Sequence, residues 1–168
     1  MASLAKLSST YEKVTSLNCE WTTFNLLPVE LLTDELKTWK NEDDCSFQDL
    51  ESHEDPDIKR DRYHCSEAWR QAIMLYAMRV FSKKQDQGGL QSIKFLSRLI
   101  IDHVRCIKQD ALIQKQALIP ICLAAVESGD EADRAFARQY NYNWSLRSRY
   151  HMFETAQTIL EKIWAGWE

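Results

Sequence analysis

The sequence predicts an all-α domain, on three observations. Only 4 Gly and 3 Pro interrupt 168 residues rich in Leu, Ala, Gln, Lys and Arg, a composition of strong helix formers with few breakers. Apolar residues recur at helical spacing in segment after segment. No run of β-branched residues with regular turn signals reads as a strand. Hydrophobic residues make up 45%, normal for a soluble chain, and the length supports one domain with a real core. We expect five to seven helices in one domain over 21–168, preceded by an N-terminal segment 1–20.

In that segment Leu4, Leu7, Tyr11 and Val14 have the spacing of a short helix. Val29, Leu32, Leu36 and Trp39 repeat the spacing more clearly, and Pro28 suits a first turn, where its missing N–H costs nothing. Residues 41–60 follow, opening "NEDDCSFQDLESHEDPD". Acidic and proline-containing, this stretch reads as a loop. Its Phe47 and Leu50 among Asp43, Asp44, Asp49 and Glu51 have the composition of an activation segment, though most such stretches are solvated linkers. From Ser66, read as an N-cap, Trp69, Ile73, Tyr76 and Val80 lie on one face, with Ala72 and Ala77 beside them. "KKQDQGG" predicts the end of that helix, with a turn at Gly88–Gly89. The next helix carries Leu90, Ile93, Leu96, Ile100, Val104 and Ile107.

Ala117 to Val126 is the longest apolar run, with Pro120 in its middle. It is far short of the roughly 20 residues that span a bilayer. An interior proline costs about 3 kcal/mol, so Pro120 belongs in a first turn, after a break near Leu118. The predicted helix, about 119–128, is apolar on nearly every side and therefore central, with Ile121–Val126 buried. Gly129 follows as its C′ residue. Asp130 caps a helix using Ala132, Phe136 and Tyr140, and a last helix carries Tyr150, Phe153, Ile159, Leu160, Ile163 and Trp164.

Nothing in the pattern supports catalysis, a cofactor or a metal. His53, His64, His103 and His151 form no H-E-x-x-H and no helix-borne ligand pair. His64 and Cys65 are neighbours in sequence, so their side chains diverge. The cysteines, Cys19, Cys45, Cys65, Cys106 and Cys122, include no C-x-x-C and read as reduced thiols. The formal net charge of −4 argues against a chain that grips nucleic acid. Arg134, Arg138, Arg147 and Arg149 do alternate with Tyr140, Tyr142, Trp144 and Tyr150, a pattern able to stack on bases. The plainer reading makes the aromatics core and leaves the arginines solvated or paired with Glu127, Asp130 and Glu131. Trp69, Met74, Tyr76, Cys122 and Phe136 are candidates to line an apolar pocket, against the commoner outcome that such residues are core.

Four stretches, in order, resemble the fungal-specific transcription factor domain, the helical region downstream of a six-cysteine zinc cluster in fungal regulators. "ELLTDELKTW" resembles its helix with Leu-x-x-Trp. "SEAWRQAIMLYAMRVF" resembles its helix with alanine and an apolar-Leu-Tyr motif. "ALIPICLAAVES" resembles its Pro-x-apolar-apolar-Ala-Gly-x-Glu segment, with Ala125 in place of the glycine. "MFETAQTILEKIWAGW" resembles its terminal helix ending in apolar-Trp. The likeness covers roughly 25–168 and lacks the cluster. It implies a regulatory domain, nuclear (cytoplasmic if the likeness does not hold), without DNA binding by this chain alone and without enzymatic chemistry. Homo-oligomerisation, transcriptional coregulators and a small apolar effector are the implied contacts. A helical small-molecule-binding protein with no transcriptional role is the alternative. Trp21, Phe24, Leu27, Trp164 and Trp167 are candidate interface anchors, aromatic residues being favoured there.

Overall fold

The computed structural model describes residues 27–39, 55–81 and 87–166. Among them are six α-helices, one 3-10 helix and no strand, as the composition predicts. The expected helix at Leu4–Val14, Trp21, Phe24, Trp167 and most of the acidic stretch lie outside the described residues.

Helix α1 (Leu27–Thr38) runs antiparallel to α2 (Pro56–Phe81). Val29 packs near Ala77 and Phe81, while the Leu36 carbonyl lies beside Arg70. With Leu32, Ile73, Tyr76 and Val80 these residues form a small satellite core. Helix α2 begins ten residues before the expected Ser66 cap, so the loop reading of 41–60 fails at its end. The reason is local. Asp55 accepts the Asp57 N–H at 3.0 Å and its carbonyl takes the N–H groups of Ile58 and Lys59. Pro56 then occupies the first helical position, which tolerates proline.

Helix α3 (Gln87–Cys106) returns along α2. Gly88 and Gly89, predicted as a turn, belong to its first turn instead. Ile93, Leu96, Ile100 and Val104 are buried, and Ile107, just past the end, remains buried as the chain bends. The 3-10 helix Leu112–Ala117, which the sequence pattern did not reveal, leads into α4 (Leu118–Glu127).

Pro120 is the third residue of α4, where its missing N–H has no intrahelical partner to lose. The helix packs against α2, α3, the 3-10 helix, α5 (Glu131–Arg147) and α6 (Met152–Ala165). It is the central element, as predicted, with Ile121, Ala124 and Ala125 fully covered. Its burial is not complete: Ile119 is 48% exposed, and Cys122, Leu123 and Val126 are half-buried. Two end carbonyls take side-chain donors from neighbouring helices, Ser97 Oγ to Ala124 O at 2.7 Å and Trp164 Nε1 to Ala125 O at 3.0 Å.

Asp130 caps α5 as expected, accepting from Ala132 N at 2.9 Å. The inner face of α5 is rotated from the expected one. Ala132 is exposed, and Asp133, Ala137, Tyr140, Asn141 and Trp144 are buried. On α6 Phe153, Leu160 and Trp164 turn inward, while Ile159 and the preceding Tyr150 are exposed. Gln114 holds the 3-10 helix to this core. Its Oε1 accepts from Trp144 Nε1 at 3.1 Å, its Nε2 donates to Ile107 O at 3.3 Å, and its carbonyl accepts from Tyr140 Oη at 2.8 Å.

Candidate functional site

An apolar cleft of about 570 Å³ opens where α1, α2 and the 3-10 helix meet. Leu36, Trp39, Cys65, Trp69, Ile73 and Ile113 supply its apolar wall, with Arg62, Arg70, Ser66 and Gln116 as polar neighbours. Helical spacing on α2 explains the wall: residues 62, 65, 66, 69, 70 and 73 fall on one stripe.

Three polar contacts hold the cleft open in a defined shape. Trp69 Nε1 donates to Gln116 O at 3.1 Å, joining α2 to the 3-10 helix. Arg70 pairs with Glu67 through Nη2 to Oε2 at 2.6 Å and donates Nη1 to Leu36 O at 3.1 Å. That second bond takes up one of the end carbonyls of α1, which have no intrahelical donor. Cys65 Sγ lies 3.8 Å from Ile113 O, and burial pushes its thiol above the ordinary range. Cys65 is therefore a packing residue rather than a nucleophile.

Of the five predicted pocket residues, one, Trp69, lines this cleft. Tyr76 packs in the satellite core between α1 and α2. Met74, Cys122 and Phe136 pack against the main core. Sequence spacing placed them on apolar faces but could not say which face meets which neighbour. Leu36, Trp39 and Ile113 come to the cleft only through the packing of three elements, so no linear motif marks them.

The candidate interface residues also separate. Leu27 is 55% exposed. Trp164 is a correction: it is 3% exposed, held by Ala125 O and covered by the guanidinium groups of Arg138 and Arg134, 4.7 and 5.5 Å from its ring centroid. It offers no indole to a partner. The arginine–aromatic stretch follows the plainer reading in part. Tyr140 and Trp144 are core, whereas Tyr142 and Tyr150 are exposed. Arg138 pairs with Glu131 at 2.5 Å and Glu161 at 2.8 Å, which holds the Glu161 carboxyl below the usual range. Glu127 pairs instead with Arg79 of α2.

The profile of the fungal-specific transcription factor domain matches residues 22–166. The chain belongs to this family. The match runs through all six α-helices and the 3-10 helix, so the cleft lies wholly within the fungal-specific transcription factor domain. No curated protein and no solved structure matches the chain significantly. The family assignment gives the chain a regulatory role, and the family is not typically enzymatic. Among the described residues no helix is long and apolar enough to cross a membrane.

Proposed function

We propose that this domain regulates transcription in the nucleus through protein–protein contacts made at the α1–α2–3-10 cleft. The observation that carries the reading is an apolar cleft with two indoles, Trp39 and Trp69, in its wall. Indoles bury a large area at small entropic cost and dominate binding surfaces. The same cleft has the size and lining of a small-molecule site, so an apolar effector that fills it would change the surface offered to a coregulator. A net charge of −4 argues against duplex DNA as a partner of this chain by itself.

The test fuses the chain to a heterologous DNA-binding domain and reads a reporter gene. Trp69→Ala and Ile113→Asp are expected to change reporter output at least threefold while helical circular dichroism is retained. The unfused chain is expected not to retard a DNA duplex. Unchanged output from both well-folded variants would refute the role of the cleft.

A further inference from the structure

On the face where α2 and α3 run side by side, His64 and His103 bring Nδ1 to Nδ1 at 3.0 Å. Their ring centroids are 5.3 Å apart, and Tyr63 packs edge-on against both, 5.4 Å from His64 and 6.4 Å from His103. Both rings are half-buried. Two ring nitrogens therefore meet at one spot between the helices.

We propose that His64 and His103 form a two-imidazole chelate for a divalent late transition metal ion, Cu²⁺ or Ni²⁺, that clamps α2 to α3. Imidazole nitrogens bind such ions at about 2.0–2.1 Å. Two nitrogens 3.0 Å apart then subtend an angle of about 90–100° at the metal, from those bond lengths. That is the cis angle of a square or octahedral site, which suits Cu²⁺ and Ni²⁺ better than tetrahedral Zn²⁺. Burial lowers the proton affinity of both rings, helped at His64 by the neighbouring His103 and Arg60 and at His103 by Arg70, so the neutral imidazoles that bind metal are favoured. The nearby carboxylates of Glu67 and Asp61 are already paired with Arg70 and Arg60, so the affinity for a metal rests on the two ring nitrogens. Without metal, one Nδ1–H donates to the other Nδ1. On binding, that proton moves to Nε2 of the same neutral ring, and no net proton is released. Among the described residues no group of three or more His, Cys, Asp or Glu side chains is placed to hold a metal, so water completes the coordination.

The test titrates the purified chain with Ni²⁺ and Cu²⁺. Expected are one saturable site, a melting temperature raised by Ni²⁺ and restored by EDTA, and a Cu²⁺ resonance spectrum split by two imidazole nitrogens. His64→Gln and His103→Gln should each weaken Ni²⁺ binding at least tenfold and remove the thermal shift. His151→Gln, at a side chain 90% exposed, should leave both unchanged. Because either variant could fold poorly, the wild-type chain is also modified with diethyl pyrocarbonate and mapped by mass spectrometry. Ni²⁺ should protect His64 and His103 but not His151. Absence of saturable binding, absence of protection, or a thermal shift that survives His64→Gln in a folded variant overturns the proposal. The pair is then an interhelical hydrogen bond alone.

Discussion

At the scale of single residues, the buried polar groups show what the core demands. Asp133 is buried, and it accepts from Arg105 at 3.0 Å and from Ser128 Oγ at 3.1 Å. Gln114 and Tyr140 satisfy each other's neighbourhood in the same way. A buried polar atom left alone costs about 1–3 kcal/mol, so such sets survive only as groups. Asn141 is the exception among the described residues: its Nδ2 reaches Gln157 Oε1 at 3.2 Å, but its Oδ1 has no protein partner. Cysteine chemistry divides on the same grounds. Burial pushes the Cys122 thiol up to about 11, whereas Cys106 is exposed. Since the thiolate is the nucleophile, maleimide at neutral pH should label Cys106 at least tenfold faster than Cys122. Peptide mass spectrometry would measure the two rates, and equal rates would show that Cys122 is not shielded by the core.

At the scale of elements, helix ends decide boundaries and apolar stripes decide partners. The caps at Asp55 and Asp130 set the starts of α2 and α5. Asp130→Ala removes the acceptor for Ala132 N and should lower stability by about 1 kcal/mol, as N-cap losses do. Urea denaturation would show a shifted midpoint with an unchanged slope. A changed slope would mean that α5 no longer unfolds with the rest. Helix α4 illustrates the other rule. Its two end carbonyls bind Ser97 of α3 and Trp164 of α6, so a central helix of ten residues is tied on both sides by hydrogen bonds as well as by Ile121, Ala124 and Ala125.

At the scale of the whole molecule, the main core joins α2 through α6, and α1 is attached through its own cluster on α2. The cleft of the proposed function lies at this attachment, where a partner can reach the weaker contact. We propose that the chain self-associates through its exposed apolar positions. Leu27 and Leu31, one helical turn apart on α1, and Trp39 just past its end are 55%, 56% and 45% exposed, and exposed apolar surface of this kind marks interaction sites. Multi-angle light scattering at tens of micromolar should give a dimer mass, and Leu27→Asp with Leu31→Asp should return it to a monomer. A monomer mass for the wild-type chain at high micromolar concentration would sink this reading.

By itself the sequence determined the fold class, the place of Pro120 in a first turn, the Asp130 cap and the central position of α4. These are local matters: composition, a cap residue followed by helix formers, and a run too apolar to face water. The family was legible as well, because its ordered motifs are the core residues of successive helices. The start of α2 was also written locally, in Asp55-Pro56, but the acidic run before it obscured the signal. Only the tertiary structure decided which apolar face met which neighbour. It buried Trp164 beneath Arg138 while leaving Ile119 exposed. It drew the wall of the cleft from three elements, and it joined His64 to a histidine 39 residues away. Helical periodicity specifies the angle of a side chain about its own axis, whereas the separation between two helices depends on every side chain packed between them.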